Sequence, residues 1–264
     1  MNIAELLHDA CATSPGQVQI PPGWGQGRAT FGGLLAACLF EKLLPHVTGE
    51  RPVRSLMLSF VAPVAPGAME VRVQVLREGK AATQVQATGY QGDQACVVLL
   101  ASFGGDRESA VALAAEPAPA IADPDSATRF PFIAGLTPDF TQHFDYRYAV
   151  GKMPFMGGEE PRLGGWIRLR EPARRVVQMA ELLCLLDAWP PAVFCLLKKP
   201  AAGSSLTWSI GCMEIPTDCT AGDWWQYQAE IRHSAAGYSH IDATLWDRLG
   251  HPVLLSRQTV SVFA

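Results

Sequence analysis

Along this chain the apolar residues switch period from helical to alternating, and they do so twice in the same order. From Phe31 the run F-G-G-L-L-A-A-C-L-F-E-K-L-L-P-H is apolar on every side, which predicts a helix opened by two glycines and buried all round. Strands follow at Arg54 to Val61, Met69 to Leu76, Ala82 to Tyr90 and Ala95 to Phe103, joined by short turns such as Glu78-Gly79-Lys80 and Gly92-Asp93. Gly105 to roughly Asp139 is rich in Ala, Pro and Asp, has no period and reads as a linker. The order then recurs. Strands are predicted at Phe144 to Val150 and Trp166 to Arg170, and a helix over Val176 to Ala188. Further strands are predicted at Ser205 to Ile215, Trp224 to Arg232, His240 to Trp246 and Val253 to Phe263.

Arg77 to Phe103 and Arg232 to Val260 read as two copies of one unit, each a strand, a polar turn carrying a glycine (Gly92, Gly250) and a second strand. One half-fold has been duplicated and fused. A buried helix wrapped by an antiparallel sheet in each half is α+β, and two such sheets joined edge to edge would leave neither inner edge open. The expected limits are an N-terminal domain over 1–107, a linker over 108–138 and a C-terminal domain over 139–264.

Bulk properties narrow the partners. The 264 residues are 48% apolar and 17% charged with net charge −4 and no basic block, which argues against nucleic acid. The start, M-N-I-A-E-L-L-H-D, lacks a cationic segment followed by an apolar stretch and is not read as a signal peptide. The greasiest run, Leu182 to Leu197, is interrupted by Asp187, Pro190 and Pro191, so no membrane span is expected. Seven cysteines without Cys-x-x-Cys suggest free thiols and a cytoplasmic protein.

The candidate chemistry lies where the halves differ. Four, six and eight residues beyond Gly92 stand Cys96, Val98 and Leu100; the same steps beyond Gly250 reach Leu254, Ser256 and Gln258. An amide on an apolar inner face either satisfies a neighbouring backbone group or holds a polar substrate or water. Asp187 lies beside the stripe Met179, Leu182, Leu183 and Leu186, where the helix must stop before Pro190-Pro191. It is either a solvated turn residue or a carboxylate whose pKa is raised by apolar neighbours and the negative helix end, as a general base needs. In S-L-T-W-S-I-G-C, Leu206, Trp208, Ile210 and Cys212 share one face, and Ser205, Thr207, Ser209 and Gly211 the other. That row of hydroxyls suits a solvated face or a wall that positions water.

Together these features resemble the acyl-CoA thioesterase II family of the double hot-dog, thioesterase-like superfamily. The resemblance rests on F-G-G-L-L-A-A (Phe31 to Ala37), S-F-V-A-P (Ser59 to Pro63), R-E-G-K (Arg77 to Lys80) and A-S-F (Ala101 to Phe103). In the second half it rests on L-L-D-A-W-P-P-A-V (Leu185 to Val193) and G-H-P-V-L-L-S-R-Q (Gly250 to Gln258). It implies a tandem hot-dog fold, two antiparallel sheets each wrapping a long central helix. It also implies hydrolysis of an acyl-CoA thioester to free acid and CoA, within lipid metabolism.

The family's Asp, hydroxyl and Gln fall on Asp187, Ser205 and Gln258. Its better-known members carry Asp-His where this chain has Thr207-Trp208, which leaves Thr207 as a substitute for Ser205 and suggests a divergent branch. Asp187 would activate a water held by Gln258 and Ser205, or attack directly. Gly32 and Gly33 are candidate oxyanion donors at a helix N-terminus, unless they merely allow close packing. Phe31, Trp24, Trp189 and Trp208 are available to line an acyl slot, or are simply core. Lys198 and Lys199 could meet CoA phosphates, and His240 is an alternative base. No cofactor is called for, and no metal, since the histidines lack ligand spacing. Acyl-CoA is the expected partner; a homodimer or higher assembly is open. The competing readings are a non-catalytic acyl-CoA or lipid binder and an enoyl-CoA hydratase, although the Asp-x-Asn-Pro-x-His-like segment of hydratases is absent.

Overall fold

The computed structural model describes residues 3–12, 16–172 and 175–264; Met1 and Asn2, at the start of the segment read for a signal peptide, lie outside them. Helix α1 (Ile3–Ala12) and strands β1 (Gln17–Ile20), β2 (Gly25–Gln26) and β3 (Ala29–Thr30) come first, where no element was predicted. Helix α2 (Gly32–Leu43) follows, then β4 (Val53–Phe60), β5 (Gly67–Glu78), β6 (Ala82–Gln91) and β7 (Gln94–Gly104). The second half comprises β8 (Thr128–Phe130), β9 (Phe144–Val150), β10 (Arg162–Leu169), α3 (Met179–Asp187), β11 (Ala202–Cys212), β12 (Trp225–Ala235), β13 (Tyr238–Trp246) and β14 (Pro252–Phe263).

The predicted halves are visible in the topology. Strand order is β1-β5-β6-β7-β4-β11-β14-β13-β12-β10-β9-β8, so β5-β6-β7-β4 is mirrored by β12-β13-β14-β11 across the middle. The two sheets expected to meet edge to edge are joined into one: β4 pairs with β11, from Ser59 opposite Thr207 to Ser55 opposite Gly211, and a single antiparallel sheet of 12 strands takes the place of two. Each of these strands would otherwise present an unpaired ladder, and pairing them satisfies both. The sheet's outer ends are the short strands β1 and β8, four and three residues long.

Both helices are buried by the sheet, as their uniform apolarity requires. In α2 every residue from Gly33 to Phe40 is buried, and in α3 every residue from Met179 to Leu186. The two helices pack on each other closely enough for the Cys184 thiol to donate to the Gly33 carbonyl at 3.5 Å. Helix α3 begins later than predicted because Gln178 and Glu181 form a capping box, the Gln178 amide donating to Glu181 Oε2 at 2.9 Å. All seven cysteines are free thiols.

Strand β10 was only half predicted. It contains Gly164-Gly165, a pair that reads as a break, but the sheet has a bulge there. A Cβ on Gly165, at φ +150°, would lie 1.9 Å from the Arg147 carbonyl oxygen, so glycine is needed for this backbone approach.

The segment read as a linker is partly docked. Trp166 Nε1 donates to the Ala122 carbonyl (2.8 Å), Gln226 Nε2 to Pro119 (2.7 Å) and Arg147 Nε to Pro124 (3.1 Å), while the Ala118 amide donates to the Gly250 carbonyl (2.9 Å). These bonds strap residues 118–124 onto β9, β10, β12 and the β13–β14 turn. Residues 105–117 are exposed.

Candidate active site

Asp187 closes α3, and three local features put it there. Pro190 disfavours helical backbone at Trp189, Pro191 has no amide to continue the ladder, and Tyr146 Oη donates to the Ala188 carbonyl at 3.1 Å. The helix crossing then sets the carboxyl against the start of α2. A Cβ on Gly32 would lie 2.9 Å from Asp187 Oδ2, and one on Gly33 would lie 3.1 Å from Asp187 Cβ. The Gly33 amide helps to hold the proton affinity of the carboxylate down. Asp187 thus sits at the unfavourable end of its own helix and the favourable end of another.

Gln258 donates from Nε2 to Asp187 Oδ1 at 2.8 Å, and Ser205 Oγ donates to Gln258 Oε1 at 3.1 Å. The amide is therefore held from both sides, with its N–H group turned to the carboxyl. Burial pushes the Asp187 carboxyl up to about 7, against the opposing pull of the Gln258 and Gly33 hydrogen bonds. The group is poised to exchange a proton near neutrality.

Ser205 reaches this site through a bulge that strict alternation misses. Ser205 pairs with Val260, but the next pair is Thr207 with Thr259, so Leu206 is an extra residue in β11. Ser205 joins Trp208 and Ile210 on the inner face, while Thr207 is exposed on the outer one. The expectation that Thr207 could replace Ser205 is thereby corrected: its side chain is on the far side of the sheet from Gln258.

The step-count comparison with Leu100 is also off by one. In β7 the buried residues are Cys96, at the start of the strand, and then the alternating Val97, Leu99, Ala101 and Phe103, whereas in β14 they include Leu254, Ser256 and Val260. The turns differ: Gln91 pairs with Gln94 across two residues, but Trp246 pairs with Pro252 across five. The inner face of the first half is nonetheless wholly apolar at this level, so the asymmetry between halves stands.

A narrow cleft of about 10 Å³, room for little more than a water and partly open to solvent, borders Gln258. Its walls are Leu186, Trp189, Pro190, Pro191, Ala192, Tyr227, Ile241, Ala243 and Ser256. Trp189 stacks on Tyr227 with ring centroids 5.3 Å apart and meets Tyr146 edge-on. The strand alternation Phe144, Tyr146, Tyr148 marks this aromatic wall, though the sequence reading did not single it out.

Three residues expected on the acyl slot are elsewhere, and the reason is packing. Phe31 is fully buried and stacks on Phe140 at 4.1 Å; Trp208 is 1% exposed and donates from Nε1 to Ser256 Oγ at 2.9 Å. Trp208 thus stands behind the cleft wall rather than in it. Trp24 stacks on His143 at 4.0 Å, also within the core. His240 is exposed beside Thr259 on the outer sheet surface, and Lys198 and Lys199 are exposed. Ser256 was missed as a site residue; its signal was its place two residues before Gln258 on the same face.

Two family models match the chain, the acyl-CoA thioesterase N-terminal domain over residues 20–104 and the acyl-CoA thioesterase C-terminal domain over 116–262. No curated protein matches it significantly in sequence. Among solved structures, a hot-dog-fold protein of unknown function from Alicyclobacillus acidocaldarius is 21% identical, with TM-score 0.86 and 98% of each chain covered. A putative thioesterase II from Thermobifida fusca is 21% identical with TM-score 0.80, covering 98% of this chain and 97% of its own. A tesB protein from Mycobacterium avium subspecies paratuberculosis is 17% identical with TM-score 0.75, covering 98% and 100%. At these identities the likeness establishes the hot-dog fold.

Proposed function

Because the chain belongs to the acyl-CoA thioesterase family, we propose that it hydrolyses an acyl-CoA thioester at Asp187, with Gln258 and Ser205 positioning the water. The observation that carries this reading is the hydrogen-bonded series Ser205–Gln258–Asp187 beside a cleft whose side chains are mainly apolar and aromatic.

The chemistry follows from the donors and acceptors. A water bound between Asp187 and Gln258 attacks the thioester carbonyl carbon, and Asp187 takes its proton. The tetrahedral oxyanion collapses, the C–S bond breaks, and the proton held on Asp187 passes to the leaving CoA sulfur. Such a base works best with a pKa near the operating pH, which the value of about 7 provides. Ser205 keeps the Gln258 amide oriented, and Gln258 keeps the water from the apolar walls. Direct attack by Asp187 is less suited, because the carboxyl is already held by Gln258 and Gly33 and backed by Gly32. The apolar residues Leu186, Pro190 and Ile241 offer the acyl group a dry wall.

The test is CoA release from acyl-CoAs of graded chain length by the wild type and Asp187→Asn. The reading expects turnover that the substitution lowers about 10²- to 10⁴-fold, the usual contribution of a positioned general base. Equal rates for both proteins would end it. Tight acyl-CoA binding without turnover would instead favour the carrier reading.

A further inference from the structure

An oxyanion needs fixed donors, and the start of α2 nearest the reacting centre is packed against the Asp187 carboxyl itself, Gly32 and Gly33 both lying on it. The walls of the cleft hold two donors that are not so engaged. The Trp189 indole nitrogen is buried, in a side chain 5% exposed, and has no hydrogen-bond partner among the described residues. Native structures rarely leave such a donor orphaned, and those that do often hold it for a ligand. The indole cannot easily swing away, being stacked on Tyr227 and flanked by Pro190-Pro191.

Ser256 is the second donor. Its Oγ accepts from Trp208 Nε1 at 2.9 Å, which leaves its own O–H proton without an acceptor among the described residues. Both side chains border the same cleft as Gln258, and they come from different elements, the turn after α3 and strand β14.

We propose that the Trp189 indole N–H and the Ser256 hydroxyl receive the thioester carbonyl oxygen and stabilise the oxyanion formed from it. This rests on the hydrolase reading above. As water adds to the carbonyl carbon, the C=O π pair moves to the oxygen facing Trp189 and Ser256; it returns as the C–S bond breaks and the CoA sulfur takes the proton from Asp187. Trp208 is then a positioning residue, acting through Ser256.

Two measurements test this independently of each other. In binding, a CoA ketone analogue, with a methylene between sulfur and carbonyl, is compared with the S-alkyl-CoA of equal length lacking the carbonyl. The wild type should prefer the ketone about tenfold or more, and Trp189→Phe and Ser256→Ala should each bring that ratio towards one. In turnover, each variant should lose about a hundredfold in kcat with KM changed only a few-fold, a split that loosened packing alone would not produce. A wild-type ratio near one, or an unchanged ratio and kcat in both variants, overturns the carbonyl site while hydrolysis itself survives. Carbonyl preference that both substitutions abolish, in a protein that turns over no acyl-CoA, keeps the carbonyl site and removes the hydrolase. Measuring the thermal midpoint of each variant separates either outcome from misfolding.

Discussion

At the scale of single residues, the position of Asp187 makes two measurements depend on pH in opposite directions. As a base it must be ionised, so kcat/KM should rise with pH through an apparent pKa near 7 and level off above it. Stability should do the reverse. A carboxyl raised from 3.8 to about 7 binds its proton more tightly in the folded state, so the folded chain holds the extra proton between those values. Its contribution is then present below pH 4 and lost as pH climbs to about 7, to the extent of a few kcal/mol by the linkage relation. Asp187→Asn should flatten the activity profile and remove that loss, so that its midpoint exceeds the wild type's at pH 8 and not at pH 4. Thermal melts at the two pH values check it, and equal differences at both would contradict the raised pKa. Ser205 and Thr207 provide a contrast at the same scale. Ser205→Ala frees the Gln258 carbonyl and should cost about tenfold or more in kcat. Thr207→Val, on the outer face, should stay within twofold.

At the scale of elements, that contrast depends on one inserted residue, and it shows what could be read beforehand. Residue types and order were legible: a carboxylate at the end of an apolar helix and an amide in an apolar strand stand out as chemistry that burial must justify. The inner or outer placement of Ser205 was not, because alternation assumes an unbroken ladder, and the bulge at Leu206 shifts every residue before it by one face. The unequal turns after β6 and β13 misaligned Leu100 with Gln258 for the same reason. Short elements carried too little pattern to be seen: β1 (Q-V-Q-I) alternates but over only four residues, and β8 is three residues long. Gly32 and Gly33 were legible only as an ambiguity, and the helix crossing resolves it towards close approach. A Cβ on Gly33 would lie 2.5 Å from the ring of Phe31, which is stacked on Phe140 and cannot withdraw. Gly33→Ala should therefore cost about 1–3 kcal/mol of stability by overpacking and lower kcat by displacing Asp187. A melt and a turnover assay read both effects, and a variant as stable and active as wild type would mean that α2 can shift without disturbing the site.

At the scale of the whole molecule, the catalytic residues proposed here all come from the second half, yet the site needs the first. Asp187 packs against Gly32 and Gly33 of α2, and β11, which carries Ser205, is paired with β4 from Thr207 to Gly211. The covalent connection between halves does less than these contacts. Residues 105–117 are exposed, and Arg107 lies among them, whereas 118–124 are held on the second half by Trp166, Gln226 and Arg147. Brief trypsin treatment of the native protein should therefore cut after Arg107 before it cuts after Arg129, the next tryptic site, which lies in β8 beyond the strap. The two pieces should remain together on gel filtration and keep most of the acyl-CoA turnover, because neither the β4–β11 ladder nor the α2–α3 contact is broken. Expressed alone, residues 1–107 would expose the β4 edge and the face of α2 that α3 covers, and should aggregate or stay unfolded. If instead the nicked halves separate in buffer, or if residues 1–107 fold as a stable monomer, the two halves are independent domains, and the dependence of Asp187 on the first half has been misread.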